Sequence, residues 1–281
     1  MPPSIQLAST AFSLAAVACW GASDFIGGYA SRRANAFLIA VMAHGSGLLL
    51  VAAIAVAEHS SLPSNRSLGW ALAAGLSGGL ALALFYRALA SGRMGLAAPV
   101  SAVLGAAIPT AFGIFSEGLP HPLQIAGFLL AGLGIWMVSR PEVSRPPEGI
   151  GLAVLAGIGF AGFFMCIKQA GNGSAFWIAA ASRASSLVLT GVIVLLSRTF
   201  RDTGAFHSGL AVLAGCLDVS GSVLFIRASQ TGRLDAAVVL TSLYPVVTVL
   251  LARLFLREHF TRWKAIGMIA ALLAVPMISL K

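Results

Sequence analysis

The sequence is poor in charged residues. Asp, Glu, Lys and Arg make up 10% of the 281 residues, whereas a soluble domain carries about 25%. Hydrophobic residues make up 58% and the mean hydropathy is +0.91, which excludes an ordinary soluble domain and predicts an all-α membrane protein. At about 20 apolar residues per crossing, the length accommodates roughly ten transmembrane helices.

Signatures of catalysis and of metal binding are absent. The 3 cysteines lie in apolar runs and form no C-x-x-C pair, so no disulfide framework and no metal site are predicted. The sequence has no H-E-x-x-H, G-x-S-x-G or Walker motif. We therefore predict no catalytic residues, no cofactor and no direct use of ATP.

A basic stripe is also missing, although the net charge is +9. The cations are scattered one or two per loop, so nucleic acid is not a predicted partner. The N-terminus lacks a basic start and its apolar run reaches spanning length, so no cleavable signal peptide is predicted.

Charged and turn residues divide the chain into ten predicted helices. Their bounds are 9–30, 36–57, 68–90, 95–116, 121–139, 149–169, 174–197, 209–229, 235–256 and 262–280. The clearest break is "SRPEVSRPPEG" (139–149), in which three prolines among charges cannot continue a helix. It predicts a first half at 1–139, a linker at 140–148 and a second half at 149–281.

The two halves resemble each other at an offset of 140 residues. "FYRALASGRMG" (85–95) aligns with "FIRASQTGRLD" (225–235) without a gap. Each half holds five predicted helices, and because five is odd, the second half would enter the membrane from the opposite side. Inverted repeats of this kind are common in secondary transporters, so the pattern predicts transport.

Three segments carry a resemblance to a known family. They are "ACWGASDF" (18–25), the repeated segment above, and "LYPVVTVLLARLFLREHFTRWKAIGMIAALLAV" (243–275). With them the chain resembles the EamA-type branch of the drug/metabolite transporter superfamily. The resemblance implies two five-helix repeats, cytoplasmic termini, export, and a cavity lined mainly by the first, third, fourth, sixth, eighth and ninth helices.

Three ionisable residues lie inside predicted helices and are candidates for a substrate site. Asp24 shares a helical face with Trp20, Asp218 lies near the middle of its helix, and Arg183 is the one basic residue well inside a span. An unpaired guanidinium at the bilayer centre costs at least ~2.5–3.5 kcal/mol, so Arg183 is expected to pair with Asp218 or Asp24. An anion site, a gating ion pair and a purely structural pair are all open.

Aromatic residues complete the predicted substrate-binding set. Trp20, Tyr86 and Tyr244 can stack on a ligand, and the cavity that the resemblance implies favours these three over other aromatic residues. His44 joins Asp24 and Asp218 as a candidate for proton coupling, because imidazole titrates near neutral pH.

Three prolines are predicted to bend helices. Pro99, Pro109 and Pro245 would free backbone carbonyls in the fourth and ninth helices. Gating bends are the functional interpretation, and static kinks are the structural one.

The two intramembrane carboxylates have no acidic counterpart at the equivalent positions of the other half. Asp24 aligns with Phe164 and Asp218 aligns with Gly78. Residues with a purely structural role would be expected in both halves, whereas a binding site for an asymmetric molecule can differ between them. The asymmetry therefore favours a binding role for the two carboxylates.

The predicted function is secondary transport of a small metabolite or amphiphilic compound across the cell inner membrane, by alternating access. The predicted partners are a small-molecule substrate and the lipid bilayer, with protons as a candidate coupling ion; no oligomeric state is predicted. The alternatives are a membrane-embedded enzyme acting on a lipid carrier, and a non-transporting sensor or assembly protein. The loops are short and poor in acids and histidine, which disfavours the enzyme.

The distribution of charge and the family resemblance predict opposite orientations of the chain in the membrane. Most Lys and Arg residues lie in loops that follow odd-numbered helices, which places the N-terminus outside. The resemblance implies cytoplasmic termini, and we follow it because several arginines recur in both halves.

Overall fold

A computed structural model describes residues 3–91, 94–138, 149–198, 204–257 and 261–279, and the regular structure in these ranges is entirely α-helical. The helices are α1 (Pro3–Ala30), α2 (Ala36–Ala57), α3 (Asn65–Ser91), α4 (Met94–Glu117), α5 (Pro122–Val138), α6 (Ile150–Ala170), α7 (Ala175–Ser197), α8 (Gly204–Thr231), α9 (Leu234–Thr241), α10 (Tyr244–Leu256) and α11 (Arg262–Ser279). The predicted linker 140–148 lies outside the described residues, as does the side chain of Pro99.

Seven stretches of the described chain are long and apolar enough to cross a membrane. They are Gln6–Ala30, Ala36–Ala57, Asn65–Ser91, Ile150–Ala170, Ala175–Ser197, Gly204–Thr231 and Leu234–Leu256. Two shorter apolar stretches, Val100–Ser116 and Pro122–Met137, belong to α4 and α5. The chain is therefore an all-helical, multi-pass membrane protein, and the number of ten spans stays a prediction.

The predicted ninth helix is divided into α9 and α10. The division is a turn at Ser242 and Leu243, directly before Pro245 in the first turn of α10. Proline lacks an amide hydrogen and is favoured in the first turn of a helix, which accounts for the position of the break. Pro109, in contrast, is buried within an α4 that stays helical throughout.

Short connections make the first three helices alternate in direction. The α1–α2 connection ends at Asn35, whose side chain accepts hydrogen bonds from the backbone N–H groups of Phe37 (2.9 Å) and Leu38 (3.3 Å) and so caps α2. Such a cap satisfies donors that the first helical turn leaves free. Residues 58–64 then return the chain into α3.

Helices α1 and α8 pack against each other in antiparallel directions. The Ser9 hydroxyl donates to the carbonyl of Ala228 (3.0 Å), and the Ser23 hydroxyl donates to the carbonyl of Ala214 (2.9 Å). Because the residue numbers rise along α1 while they fall along α8, the two helices are antiparallel.

Helices α3 and α6 form a second antiparallel pair. The Ser77 hydroxyl donates to the carbonyl of Gly159 (2.8 Å). Farther along α3, a side chain at Gly149 would meet Ala88. Small residues of this kind allow membrane helices to approach closely, and serine hydroxyls bond across the contact.

Helix α7 is held against α3 by a contact that has no room for a side chain. A Cβ atom at Gly75 would overlap the backbone carbonyl of Ser182, and a Cβ atom at Gly79 would overlap Ser186. The Ser186 hydroxyl also donates to the carbonyl of Gly75 at 2.8 Å. This contact fixes the position of the helix that carries Arg183.

Candidate functional site

A cavity lies among α1, α3, α6, α7, α8 and α10. The empty space inside it and at its open side together is about 490 Å³. It is lined by Trp20, Asp24, Gly78, Leu82, Phe160, Phe163, Phe164, Ser182, Arg183, Ser186, Asp218, Ser222 and Tyr244. Residues of both sequence halves therefore contribute to one cavity.

The structure brings five of the six predicted substrate-binding residues together at this cavity. The exception is Tyr86, which is fully buried and does not line it. Its hydroxyl lies 3.2 Å from the hydroxyl of Ser23, and its ring packs on Gly27. Tyr86 thus lies behind the α1 segment that carries Asp24.

Arg183 pairs with Asp218. One guanidinium nitrogen lies 2.8 Å from a carboxylate oxygen of Asp218, and both side chains are buried. The same nitrogen donates to the hydroxyl of Ser222. Such a pair compensates two charges that would otherwise be costly in a low-dielectric interior.

His44 supports the guanidinium of Arg183 from behind. Its Nδ1 lies 3.3 Å from a guanidinium nitrogen, and its Nε2 lies 3.4 Å from the carbonyl oxygen of Gly79. Since a guanidinium can only donate, Nδ1 accepts and Nε2 carries the hydrogen. His44 is therefore a neutral link between α2, α3 and α7, and it does not line the cavity.

Asp24 is the second carboxylate at the cavity, and its surroundings differ from those of Asp218. The residue is 5% exposed, and it makes no hydrogen bond or ion pair with any described residue. A buried charge without a partner is costly, and intramembrane carboxylates are usually functional. Asp24 is therefore available to a ligand, whereas Asp218 is engaged by Arg183.

Aromatic rings connect the charged residues to the rest of the cavity. The indole N–H of Trp20 donates to the backbone carbonyl of Asp218 (3.1 Å), and its ring lies 5.8 Å from that of Phe164. The Tyr244 ring meets Trp20 edge-on at 6.5 Å, and its hydroxyl lies 3.1 Å from that of Ser101 in α4.

The cavity has two chemically different walls. The polar wall consists of Asp24 on α1, Asp218 and Ser222 on α8, and Ser182, Arg183 and Ser186 on α7; the apolar wall consists of Gly78 and Leu82 on α3 and Phe160, Phe163 and Phe164 on α6. The predicted site did not include the apolar wall. The repeat offset contains the signal for it, because Trp20, Asp24, Asp218 and Ser222 align with Phe160, Phe164, Gly78 and Leu82.

Neither a metal nor a cofactor has an evident place in this cavity. Within the described residues, no group of three or more His, Cys, Asp or Glu side chains is arranged to hold a metal ion. The cavity offers two carboxylates, and Arg183 occupies one of them.

Comparison with known proteins identifies the family. The model of the EamA-like transporter family matches the chain twice, at residues 8–140 and 147–280. The chain belongs to the EamA-like transporter family. Its resemblance to that family in sequence is thereby confirmed, and membership makes it a membrane transporter of the drug/metabolite type.

Two further similarities accompany the family match. The chain is 29% identical over 132 residues to the uncharacterized protein MJ1333.1 of Methanocaldococcus jannaschii, and the match covers 47% of this chain and 93% of that protein. A solved crystal structure of another protein superposes with a TM-score of 0.76 at 17% identity, covering 97% of this chain and 96% of the other. The second similarity shows that the fold is shared.

The EamA resemblance implied one helix that does not line the cavity. Helix α4 contributes no lining residue among those described, although its Ser101 contacts Tyr244. Helix α7 takes its place, because its close contact with α3 directs Ser182, Arg183 and Ser186 to the cavity.

Proposed function

We propose that this EamA-family protein is a secondary transporter that carries a small metabolite or amphiphilic compound by alternating access, in the direction of export. The observation that supports the proposal best is the cavity itself. It is built from both halves of the chain, and it combines aromatic and apolar side chains with a buried carboxylate that has no partner among the described residues.

The two halves, 1–139 and 149–281, act in this proposal as inverted five-helix repeats with ten spans in total. The two family matches and the half-length match to the Methanocaldococcus protein support this division. Helix contacts support the inversion: α3 runs in the direction of α1, because one helix lies between them, and α6 runs antiparallel to α3. Because α6 is the counterpart of α1 in the repeat, these directions support oppositely oriented halves.

The contacts of the two helix pairs correspond through the repeat. Ser9 of α1 bonds to Ala228 of α8, and the equivalent positions, Gly149 directly before α6 and Ala88 of α3, also lie close together. A pseudo-two-fold axis through the cavity accounts for this correspondence. Rocking of one half against the other would expose the cavity to each side in turn.

Proton coupling through Asp24 or Asp218 is part of the proposal. A carboxylate that exchanges a proton for the substrate couples the substrate to a proton gradient. Asp24 is the stronger candidate because Asp218 is held by Arg183. The neutral His44 fits a positioning role better than that of a proton carrier, since its Nδ1 is occupied by the guanidinium.

Counterflow in proteoliposomes tests the transport function. Amino acids, nucleosides, sugars and cationic amphiphiles are first screened by thermal shift, and the best binder is then labelled. We expect the label to accumulate in vesicles that are preloaded with the unlabelled compound, and to fail to accumulate in empty liposomes. A specific binder that never accumulates would favour a sensor or assembly protein, and chemical conversion of a lipid carrier would favour an enzyme.

The coupling proposal has its own test. With an imposed pH gradient, accumulation should exceed the counterflow level, and Asp24→Asn should abolish that excess. If both Asp24→Asn and Asp218→Asn retain normal coupling, coupling through these carboxylates is contradicted. Reporter fusions at Lys281 test the cytoplasmic orientation and the inner-membrane location.

A further inference from the structure

Asp24 is the one acidic group of the cavity lining that no described cation balances. Arg183 and Asp218 form an ion pair and cancel each other. His44 is neutral, because its Nδ1 accepts a hydrogen bond from the guanidinium. Asp24 remains, with 5% of its surface exposed and no partner among the described residues.

The guanidinium of Arg183 is not free to receive an anion. One of its terminal nitrogens is shared between Asp218 and Ser222, and the other faces His44. Its Nε atom is buried and has no partner among the described atoms. A carboxylate or phosphate on a ligand would have to displace Asp218, and it would bring a further negative charge to the unpaired Asp24.

The apolar wall lines the same cavity with uncharged aromatic side chains. Phe163 and Phe164 lie 5.6 Å apart at steeply inclined angles, and both rings approach Trp20. Aromatic faces attract cations as well as apolar rings. The cavity therefore offers one negative group and an aromatic surface within a space of about 490 Å³.

We propose that the cavity selects organic monocations, with the ammonium group at Asp24 and a flat apolar body against Phe163 and Phe164. This inference rests on the proposed transport function for its physiological meaning, and it names the substrate class of the same site. An ionised Asp24 attracts the ammonium group and repels anions. Zwitterions are disfavoured because Arg183 is already occupied.

A matched series of probes tests the proposal on the full-length protein in detergent. The four probes share a phenyl ring and a two-carbon chain: 2-phenylethylamine, 2-phenylethanol, 3-phenylpropionate and phenylalanine. Their affinities are measured at pH 7 by equilibrium dialysis. The amine should bind at least about tenfold more tightly than the alcohol, which is the smallest ratio expected from a charge-assisted hydrogen bond, and the acid should bind most weakly.

The wild-type protein alone can overturn the proposal. Equal affinity for the amine and the alcohol would contradict cation selection. Tighter binding of phenylalanine or phenylpropionate than of the amine would show that Arg183 receives a carboxylate.

One variant and its matched control test whether Asp24 is the group that selects the amine. Asp24→Asn should reduce the ratio of amine to alcohol affinity to about one, because the amide carries no negative charge to attract the ammonium group. Asp235→Asn is the matched control: Asp235 is equally buried and pairs with Arg233 outside the cavity, so the ratio should stay unchanged. A ratio that survives Asp24→Asn in a folded variant would overturn the assignment to Asp24.

A counterflow measurement tests the transport function independently of the cation site. Trimethyl(2-phenylethyl)ammonium does not cross a bilayer unaided, so its labelled form serves in counterflow. Amine-selective binding without counterflow would contradict transport and support the cation site. Counterflow of another compound class, without amine selectivity, would contradict the cation site and support transport.

Discussion

The polar and apolar walls of the cavity lie at positions that the repeat offset relates, and they differ in chemistry. Asp24 on α1 aligns with Phe164 on α6, and Asp218 on α8 aligns with Gly78 on α3. The α1–α8 pair carries the carboxylates, whereas the α3–α6 pair carries rings and small residues. One contact is nevertheless shared by the two pairs: Ser9 with Ala228, and Gly149 with Ala88.

This difference shows which constraints act on each part of the molecule. Close contacts between membrane helices favour small and hydroxylated residues, and both helix pairs contain such contacts. The residues that line the cavity differ between the positions that the repeat offset relates. A symmetric scaffold with an asymmetric cavity suits a ligand that has one charged end and one apolar end.

The largest expected effect is on the polar wall. Arg183→Gln should destabilise the protein by about 3–5 kcal/mol, because it leaves Asp218 buried without its partner. SDS-induced unfolding in mixed micelles measures the loss. Adding Asp218→Asn to Arg183→Gln should recover most of it, and a single variant as stable as the wild type would contradict the role of the pair.

The contact between α3 and α7 joins a helix of the apolar wall to a helix of the polar wall. Gly75→Ala should cost about 1–3 kcal/mol, because the new methyl group overlaps the backbone of Ser182 and pushes α7 away. Gly69→Ala is the control in the same helix, since a Cβ atom there meets nothing within 4 Å. Equal unfolding midpoints for the two variants would show that this contact is not tight.

Positions 24 and 164 can be compared directly by ligand binding. Phe164→Leu should weaken the amine and the alcohol probes equally, by about two- to tenfold, because aromatic contacts contribute about 0.5–1.5 kcal/mol. Asp24→Asn should weaken the amine alone. Equilibrium dialysis measures both ratios, and a charge-selective effect of Phe164→Leu would contradict the division into walls.

The smallest effects should be similar in the two helix pairs. Ser9→Ala removes a bond between α1 and α8, and Ser77→Ala removes one between α3 and α6. Each should cost about 0.6 kcal/mol, the mean for such bonds in a membrane protein. Ser220→Ala is the control, because this hydroxyl bonds within its own helix. Strongly unequal costs for the first two would show that the two helix pairs are not held equally tightly by their hydroxyl bonds.

The sequence by itself determined the helical membrane fold and the family. Long apolar runs must form helices in lipid, because no water satisfies their backbone groups. The same scarcity of charge made Asp24, Arg183 and Asp218 visible as candidates, and the repeat offset related the two walls before any helix was positioned.

Only the tertiary structure decided which charges meet. The sequence allowed Arg183 to pair with Asp24 or Asp218; the structure assigns Asp218 and leaves Asp24 facing the cavity. Helical spacing fixes the face that a residue occupies within its own helix, but the depth and rotation of neighbouring helices depend on how closely they approach. Those approaches are set by contacts such as Gly75 with Ser182, which also place α7 at the cavity instead of α4.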